Sequence, residues 1–241
     1  MPILFFAIGV STTSPSVNDS GGDMFGAVIT KILPILMGIA FAIFLLYIRR
    51  PSIEFIPTGN GFPRDDPTDE DRNHGRMWYH IWVKNKDIWK PFKKIFDRTE
   101  AASCMVTVEF FEGDKKLRQI DAHWVHQSTP GYGNNFDDSK IPLGQKMTIG
   151  SINPEQFDVL IKRDGEDCFY IADPHIVYRY PEKSNPSEWE RNLKIDAKEV
   201  RLIISVKPAN SNNIEKAEYL LKNKGNRKED ISCRRLISLY E

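Results

Sequence analysis

The sequence has few cysteines and no surplus of charge of either sign. Its 241 residues include three cysteines and equal numbers of basic and acidic side chains, 33 of each. Three cysteines are too few for a disulfide-rich scaffold. A chain without a basic surplus lacks the charge that nucleic-acid binding requires, so we predict no nucleic-acid partner. An aromatic content of 11% and a charged content of 27% exclude disorder throughout the chain.

Motifs that identify a reaction are also missing. The sequence contains no H-E-x-x-H, C-x-x-C or G-x-S-x-G motif and no glycine-rich phosphate-binding loop. It therefore predicts a protein that is not an enzyme and needs no cofactor. One metal site remains an alternative, because Asp121 and His123 would share one face of a continuous strand. His175 or Asp173 would complete the site and make the protein a membrane-tethered, metal-dependent hydrolase.

One long apolar run stands out near the start of the chain. Residues 25–48, FGAVITKILPILMGIAFAIFLLYI, carry a single charge, on Lys31. At about 1.5 Å per residue, 24 helical residues reach about 36 Å, which exceeds the hydrocarbon thickness of about 30 Å. We therefore predict a single-pass transmembrane helix over 25–48 that contacts the lipid bilayer directly. The alternative is a buried core helix.

The charges that flank this run predict its orientation. Arg49 and Arg50 follow it directly, whereas Asp19 and Asp23 precede it. Positive charge favours the cytoplasmic side, so we expect the C-terminal domain in the cytoplasm. Lys31, Arg49 and Arg50 are the predicted membrane-anchoring residues, because their charged ends can reach the headgroups. We predict that residues 1–24 form a flexible tail. It starts with a short apolar segment like that of a signal peptide, but without the basic region that a signal peptide has.

The rest of the chain predicts a linker and one β domain. Residues 49–77 are rich in proline, glycine and acidic residues, which is typical of an extended linker. Residues 78–241 contain short β-branched or aromatic segments, separated by turn signals such as Gly113-Asp114 and Asp164-Gly165. Eight or nine such segments predict an antiparallel β-sandwich. Residues 213–222 fit either a helix or a strand, and a closing hairpin favours the strand.

Three features resemble immunoglobulin-like modules of bacterial and archaeal proteins. They are a segment ending in Val83-Lys-Asn85, the segment Ala102–Gly113, and Trp124 in the position of a core tryptophan on a third strand. The resemblance implies a mainly β, immunoglobulin-like sandwich on one N-terminal transmembrane helix, with a binding or structural role. A Cys104–Cys168 disulfide, with Cys233 left over, would fit a domain outside the cell, and a cytoplasmic domain would keep its thiols reduced.

A long polar loop is the predicted partner-binding region. Residues 127–145 combine glycine, serine, asparagine and aspartate with two aromatic side chains, which is typical of adaptable binding surfaces. We therefore predict a single-pass, membrane-anchored β-sandwich that acts as a non-catalytic protein-interaction or structural module. The alternatives are an extracellular adhesion or envelope module and the hydrolase described above. The candidate contact residues are Tyr132, Asn134, Asn135, Phe136, Asp137 and Asp138.

Overall fold

The computed structural model describes residues 23–56, 75–88, 98–125, 146–180, 185–227 and 229–236. The chain forms two units, Met1–Tyr47 and Ile48–Glu241. Helix α1, Asp23–Arg49, provides the first unit's described structure. Its segment Thr30–Arg49 is long and apolar enough to cross a membrane, and none of this segment is buried. The predicted N-terminal apolar helix is therefore confirmed.

The second unit is mainly β and contains two antiparallel sheets, as predicted. The first sheet has the order β1-β2-β6-β7-β8, and the second has the order β11-β10-β9-β3-β4, with β5 paired to β3. The strands are β1 Ile53–Phe55, β2 Arg76–Asn85, β3 Ala101–Glu112, β4 Lys115–Asp121, β5 Met147–Ile149, β6 Glu155–Arg163, β7 Phe169–Ile171, β8 Lys194–Ile195, β9 Glu199–Lys207, β10 Glu215–Asn223 and β11 Ile231–Leu236.

A shared apolar core lies between the sheets and gives a sandwich-like arrangement. Phe110 of the second sheet and Phe157 of the first are both fully buried in it. On β10, Ala217, Tyr219 and Leu221 are buried at every second position, the period of a strand with one face in the core. Residues 213–222 therefore contribute a strand, because pairing with β9 and β11 outweighs their local helical preference.

Two predicted hairpins are confirmed at the two glycine turns. β3 pairs with β4 across Gly113, and β6 pairs with β7 after Gly165. Both glycines have positive φ, 57° and 84°, which side-chain-bearing residues rarely adopt. The turn chemistry in the sequence thus specified these two connections correctly.

Two short helices cover the first sheet on the side away from the second sheet. Helix α2 spans Pro174–Val177 and helix α3 spans Pro186–Asn192, both between β7 and β8. We call the side of the first sheet that faces the second sheet its inner face, and the side under α2 and α3 its outer face. A separate cluster of buried side chains lies on the outer face, including Ile161, Tyr170 and Trp189. Strand β6 is therefore buried on both faces, at every residue between its two ends.

The structure differs from the predicted domain boundaries at the linker. Ile53–Phe55 forms β1, which pairs with Val83–Asn85 of β2. The first part of the predicted linker therefore belongs to the β domain, because its alternating apolar residues supply an edge strand. Residues 57–74 of the predicted linker lie outside the described residues.

A second difference follows the end of β4, where the chain changes sheets. The Ala122 N–H donates to the Val106 carbonyl of the second sheet at 2.9 Å, and the Val125 N–H donates to the Gln156 carbonyl of the first sheet at 3.0 Å. We call residues 122–125 the crossover segment. Trp124 lies in this segment rather than on the third strand that the resemblance implies. It is fully buried, with its ring 5.5 Å from that of Phe157.

Candidate functional site

Two imidazoles contact one buried carboxylate on the outer face of the first sheet. His80 Nδ1 lies 2.7 Å from Asp158 Oδ1, and His123 Nδ1 lies 3.3 Å from Asp158 Oδ2. Backbone pairing brings the three residues together. His80 of β2 is the register partner of Asp158 in β6, and the Asp158 N–H donates to the His123 carbonyl at 2.9 Å. We call these three residues the buried triad.

The buried triad holds an ionised carboxylate inside the protein. Burial alone would raise the pKa of Asp158, but the hydrogen bonds from His123 and His80 outweigh it and lower the pKa. The three residues are at most 5% exposed, and the Tyr178 ring lies 5.2 Å from the His123 ring. The triad therefore joins β2, β6 and the crossover segment internally and presents no group to a ligand in solution.

A second polar network lies at the far end of the same face. The Tyr170 hydroxyl oxygen lies 2.8 Å from Glu166 Oε2 and 2.7 Å from Glu190 Oε1. The Arg163 guanidinium donates to Glu166 at 3.0 Å and stacks over the Tyr170 ring at 4.0 Å. These contacts tie the β6–β7 hairpin to α3. Since one hydroxyl carries one hydrogen, Tyr170 donates to one carboxylate at a time.

The electrostatics of this network favour two ionised glutamates beside a neutral phenol. Burial and the two carboxylates raise the pKa of Tyr170 well above its usual range. Burial would raise the pKa of Glu166, but hydrogen bonds from Tyr170 and Arg163 lower it. The hydrogen bonds from Tyr170 and Lys194 lower the pKa of Glu190. Negative charge therefore persists at this end of the sheet at neutral pH.

An open cleft of about 540 Å³ extends from this network along β8. It is lined by four carboxylates, one ammonium and one thiol. Arg163 pairs with Glu166, and Lys194 pairs with Glu190 and Asp196, so part of the negative charge is offset. We call it the outer cleft. Its lining residues are Glu166, Asp167, Cys168, Glu190, Lys194 and Asp196.

A second open cleft, of about 440 Å³, borders the inner side of β8. We call it the inner cleft. Its apolar part comes from Leu117, Ile171 and Ile195, which also contact the core between the sheets. Arg118 lies at its rim, held by Asp173 at 2.9 Å. Lys194 and Asp196 line both clefts, so the two clefts meet at the β8 edge.

The structure does not assemble the predicted hydrolase site. Asp121 is exposed at the end of β4 and accepts a hydrogen bond from Thr107, whereas His123 is buried in the triad. The two residues do not share a strand face, because the chain leaves the second sheet between them. His175 is exposed on α2. Within the described ranges, no group of three His, Cys, Asp or Glu side chains is placed to hold a metal ion.

The other predicted site residues fall in two places. The loop 127–145, with Tyr132, Asn134, Asn135, Phe136, Asp137 and Asp138, lies outside the described residues and stays a prediction. Lys31 is exposed on α1, Arg49 is the last residue of this helix, and Arg50 follows it.

All three cysteines are free and buried, so the conditional Cys104–Cys168 disulfide is not formed. Cys104 lies in the core between the sheets, whereas Cys168 lies in the cluster on the outer face. Burial raises the pKa of Cys104 and Cys233 to about 12 and that of Cys168 to about 11. The thiols are therefore protonated at neutral pH and are poor nucleophiles.

The chain matches no protein-family model, and comparisons with curated proteins and with solved structures also give no match. The family resemblance of the sequence is therefore not confirmed by relatives, and the functional argument depends on the geometry described above.

Sequence reasoning missed the residues that organise the outer face. Asp158 and Lys162 are the two charges inside the apolar run Phe157–Lys162. A charge inside a strand that is buried on both faces must be paired, so this run already contained a signal for buried ion contacts. Tyr170, Glu166 and Glu190 gave no such signal, because they come together only when α3 packs over the outer face of the sheet.

Proposed function

We propose that the chain is a single-pass membrane protein, anchored by α1, whose β domain acts as a non-catalytic protein-interaction module. The observation that carries this proposal is the direct succession of an exposed apolar helix and a β domain. Only residues 50–52 separate the end of α1 at Arg49 from the start of β1 at Ile53. An apolar surface of this length is stable in a bilayer and costly in water.

Residues 49 and 50 bond to the segment that precedes β3. The Thr99 N–H donates to the Arg49 carbonyl at 3.0 Å, and Arg98 Nη1 donates to the Arg50 carbonyl at 2.6 Å. Both bonds lie within the unit Ile48–Glu241, so residues 49 and 50, which the sequence assigns to a flexible linker, bond to the β domain.

The strand order supports an immunoglobulin-like sandwich. In that fold, strands A, B and E are neighbours in one sheet and strands G, F, C and C′ in the other. The order β1-β2-β6 matches the first set, and β10-β9-β3-β4 matches the second. β7 and β8 depart from the pattern, since they follow β6 where strand D would precede it. β11 adds a further strand beyond G. Such domains serve mostly as binding modules, which agrees with an interaction role.

We place the domain on the cytoplasmic side. Two arginines, Arg49 and Arg50, follow the apolar run 25–48, and two aspartates, Asp19 and Asp23, precede it. This orientation is favoured because positive charge favours the cytoplasmic side. A neutral domain fits recognition of a protein surface better than attraction to anionic lipid or nucleic acid, because residues 51–241 hold 30 basic and 31 acidic side chains.

Membrane fractionation of the full chain tests the anchor. We expect the chain to stay in the membrane pellet after an alkaline carbonate wash. The double substitution Ile39→Asp and Ile43→Asp should release it, because each aspartate costs about 3 kcal/mol in the middle of a spanning helix. Ile152→Asp is the matched control, since Ile152 is an exposed isoleucine of the β domain, at 89% exposure. A membrane-bound protein whose mature sequence starts after Arg49 would contradict the anchor.

Cysteine labelling tests the side of the membrane. The three native thiols are buried and protonated, so they give a low background with maleimide. In Asp114→Cys, the new thiol lies at the exposed β3–β4 turn. We expect a membrane-impermeant maleimide to label it only after the cells are broken. Labelling on intact cells would instead support the extracellular adhesion or envelope module.

Photo-crosslinking in native membranes tests the interaction role itself. A crosslinking residue is placed at exposed positions on every edge of the two sheets in the full-length chain. We expect one edge to give a discrete crosslinked protein while the others do not. Equal, weak labelling from every position would contradict a protein-interaction role.

A further inference from the structure

One end of the β domain is joined to the chain that follows α1 by a series of hydrogen bonds. The Lys86 N–H donates to the Ser52 carbonyl at 2.7 Å, and the Ser52 N–H donates to Asn85 Oδ1 at 3.1 Å. Asn85 Nδ2 donates in turn to the Thr99 carbonyl at 2.8 Å, and the Thr99 N–H donates to the Arg49 carbonyl at 3.0 Å. We call the end of the domain that contains these five residues the helix-proximal end.

Two loops belong to the helix-proximal end. The Asn85 N–H donates to the Gly150 carbonyl at 3.1 Å, which holds the loop between β5 and β6. The Ser52 hydroxyl donates to Glu215 Oε1 at 3.4 Å, where β10 starts after the β9–β10 loop. The side-chain amide of Asn210 holds the β9–β10 loop a second time, because it bonds to backbone groups at the start of β3. Both loops therefore have defined positions at this end.

Each of the two loops carries an exposed isoleucine. Ile152, in the β5–β6 loop, is 89% exposed, and Ile214, in the β9–β10 loop, is 48% exposed. Among the described residues that follow α1, no other large apolar side chain is exposed. A single exposed isoleucine is ordinary on a protein surface. Here, however, both exposed isoleucines share the end of the domain that α1 leads into.

The connection to α1 limits how far this end can lie from a membrane. Residues 50–52 separate α1 from β1. Because an extended chain spans at most about 3.6 Å per residue, Ser52 lies no more than about 11 Å from Arg49, where the apolar helix ends. The headgroup region of a bilayer is about 5 to 8 Å thick on each side. When α1 spans the bilayer, the helix-proximal end is therefore the part of the domain that meets the headgroups first.

The sequence between two residues of this end, Lys86 and Arg98, has the composition of a membrane interface. Residues 89–97, WKPFKKIFD, include three lysines, one tryptophan and two phenylalanines. Tryptophan is enriched at the boundary between lipid and water, and a lysine side chain can lie along apolar surface while its ammonium reaches the headgroups. This composition agrees with a lipid surface as the neighbour of the helix-proximal end.

We propose that the helix-proximal end of the β domain contacts the bilayer surface, with Ile152 and Ile214 inserted into the interface. α1 holds the domain beside the membrane at a high effective concentration, so two side chains are enough to favour contact. A neutral domain suits this contact, because apolar side chains also enter the interface of an uncharged bilayer. Two isoleucines on separate loops offer less apolar area than the core of a stable protein–protein interface.

The contact orients the domain and does not anchor it. Loss of Ile152 should therefore leave the chain in the membrane pellet, where α1 alone holds it. β3 starts at the helix-proximal end and runs for 12 residues. The β3–β4 turn thus lies about 35 Å away and faces the solvent. This inference rests on the transmembrane anchor proposed above and adds a lipid-contact surface to it.

Fluorescence quenching by labelled lipids tests the contact. The full chain carries one fluorophore, on Asn153→Cys, at an exposed position next to Ile152, and is reconstituted in phosphatidylcholine vesicles. Part of the lipid carries a nitroxide quencher on the acyl chain. We expect quenching at Asn153→Cys and none at Asp114→Cys, in the β3–β4 turn. Equal quenching at the two positions would overturn the proposal.

Substitution of the two isoleucines tests their role with the fluorophore kept on Asn153→Cys. The pair Ile152→Ser and Ile214→Ser should lower the ratio of docked to undocked domain at least about fivefold, because it removes apolar area from the interface. The matched control, Ile152→Leu with Ile214→Leu, keeps the apolar area and should leave quenching unchanged. Guanidinium unfolding checks that both pairs fold like the wild type. Unchanged quenching in the serine pair would overturn the proposal.

A fluorophore on Ile39→Cys, in the middle of α1, separates this inference from the proposed anchor. Quenching at Ile39→Cys without quenching at Asn153→Cys would overturn the lipid contact and leave the anchor standing. Absence of lipid quenching at both positions would overturn both. Protection of Asn153→Cys from iodide in the water, without quenching by lipid, would also overturn the lipid contact, because it would show that protein covers this end instead.

Discussion

The two faces of β6 each bury one charged side chain, and the two charges are held in different ways. Asp158 on the outer face contacts two imidazoles, His80 and His123. Lys162 points to the inner side, and its ammonium donates to the carbonyls of Glu166, Cys168 and Gly225 and to Asn223 Oδ1. One charge is thus held by titratable side chains and the other mainly by backbone carbonyls.

The two charges also differ in what burial does to their ionised forms. The imidazoles overcome the burial of Asp158 and lower its pKa, so the folded protein favours the carboxylate. Burial lowers the pKa of Lys162, and the acidic groups of Cys168, Asp167, Asp230 and Glu166 only partly oppose it. Folding therefore stabilises the charge on the outer face and disfavours the charge on the inner face. The comparison teaches that the side-chain hydrogen bonds from the imidazoles outweigh the burial of Asp158, whereas the acidic groups near Lys162 do not outweigh its burial.

The substitution Asp158→Asn should produce the largest loss. It keeps the shape of the side chain but removes the charge that holds two buried imidazoles, which costs about 3 to 5 kcal/mol in comparable buried pairs. Guanidinium unfolding of the full chain in micelles, followed by tryptophan fluorescence, measures the change. An effect below about 1 kcal/mol would show that the triad contributes little and would remove the contrast between the two faces.

Lowering the pH should remove the difference in unfolding free energy between wild type and Asp158→Asn. Because the folded-state pKa of Asp158 is lowered, its charge contributes stability above the unfolded pKa of about 3.9. That contribution is lost as the pH falls through the folded-state pKa. The unfolding free energies of the two proteins should therefore converge as the pH is lowered from 6 toward 2. A constant gap over this range would contradict the assignment of the charge to Asp158.

The inner and outer faces also differ in how well the sequence predicted them. The core between the sheets follows from alternating apolar residues, such as Val106, Val108 and Phe110 of β3, so most of the strands that line it were predicted, whereas β1 fell in the predicted linker. The outer face depends on contacts between segments far apart in the chain. Glu166 and Glu190 meet only because α3 folds back over Tyr170, and no local pattern encodes that contact. Strand β8 was also not predicted, because two residues are too few to give a periodic signal.

The sheet change at the crossover segment was unpredictable for a related reason. Residues 120–124 alternate apolar and polar side chains like one strand, and a strand that leaves one sheet for another keeps the same local alternation. Only the bonds of Ala122 to Val106 and of Val125 to Gln156 mark the change. Because Asp121 and His123 lie on either side of it, the hydrolase site inferred from a continuous strand does not form.

On the inner face, Lys162→Met should cost less than Asp158→Asn, about 2 kcal/mol. Methionine fills most of the volume and removes a charge whose burial is unfavourable, but it leaves the carbonyl acceptors without a donor. The same unfolding measurement applies. A loss larger than that of Asp158→Asn would reverse the comparison. It would show that the acceptors around Lys162 stabilise its ammonium more than the imidazoles stabilise the Asp158 carboxylate.

The smallest effect should come from Asn223→Ala, at about 1 kcal/mol. Asn223 Oδ1 is the most distant of the four Lys162 acceptors, at 3.2 Å, and three backbone carbonyls remain when it is removed. No single substitution deletes a carbonyl, so the Lys162 site should tolerate side-chain changes that the triad cannot. His80→Gln is the comparison on the outer face, because it removes the shorter of the two contacts to Asp158, at 2.7 Å. If Asn223→Ala destabilises the protein as much as His80→Gln, the three backbone carbonyls do not compensate for the acceptor that Lys162 loses. The two sites then depend on their side chains equally.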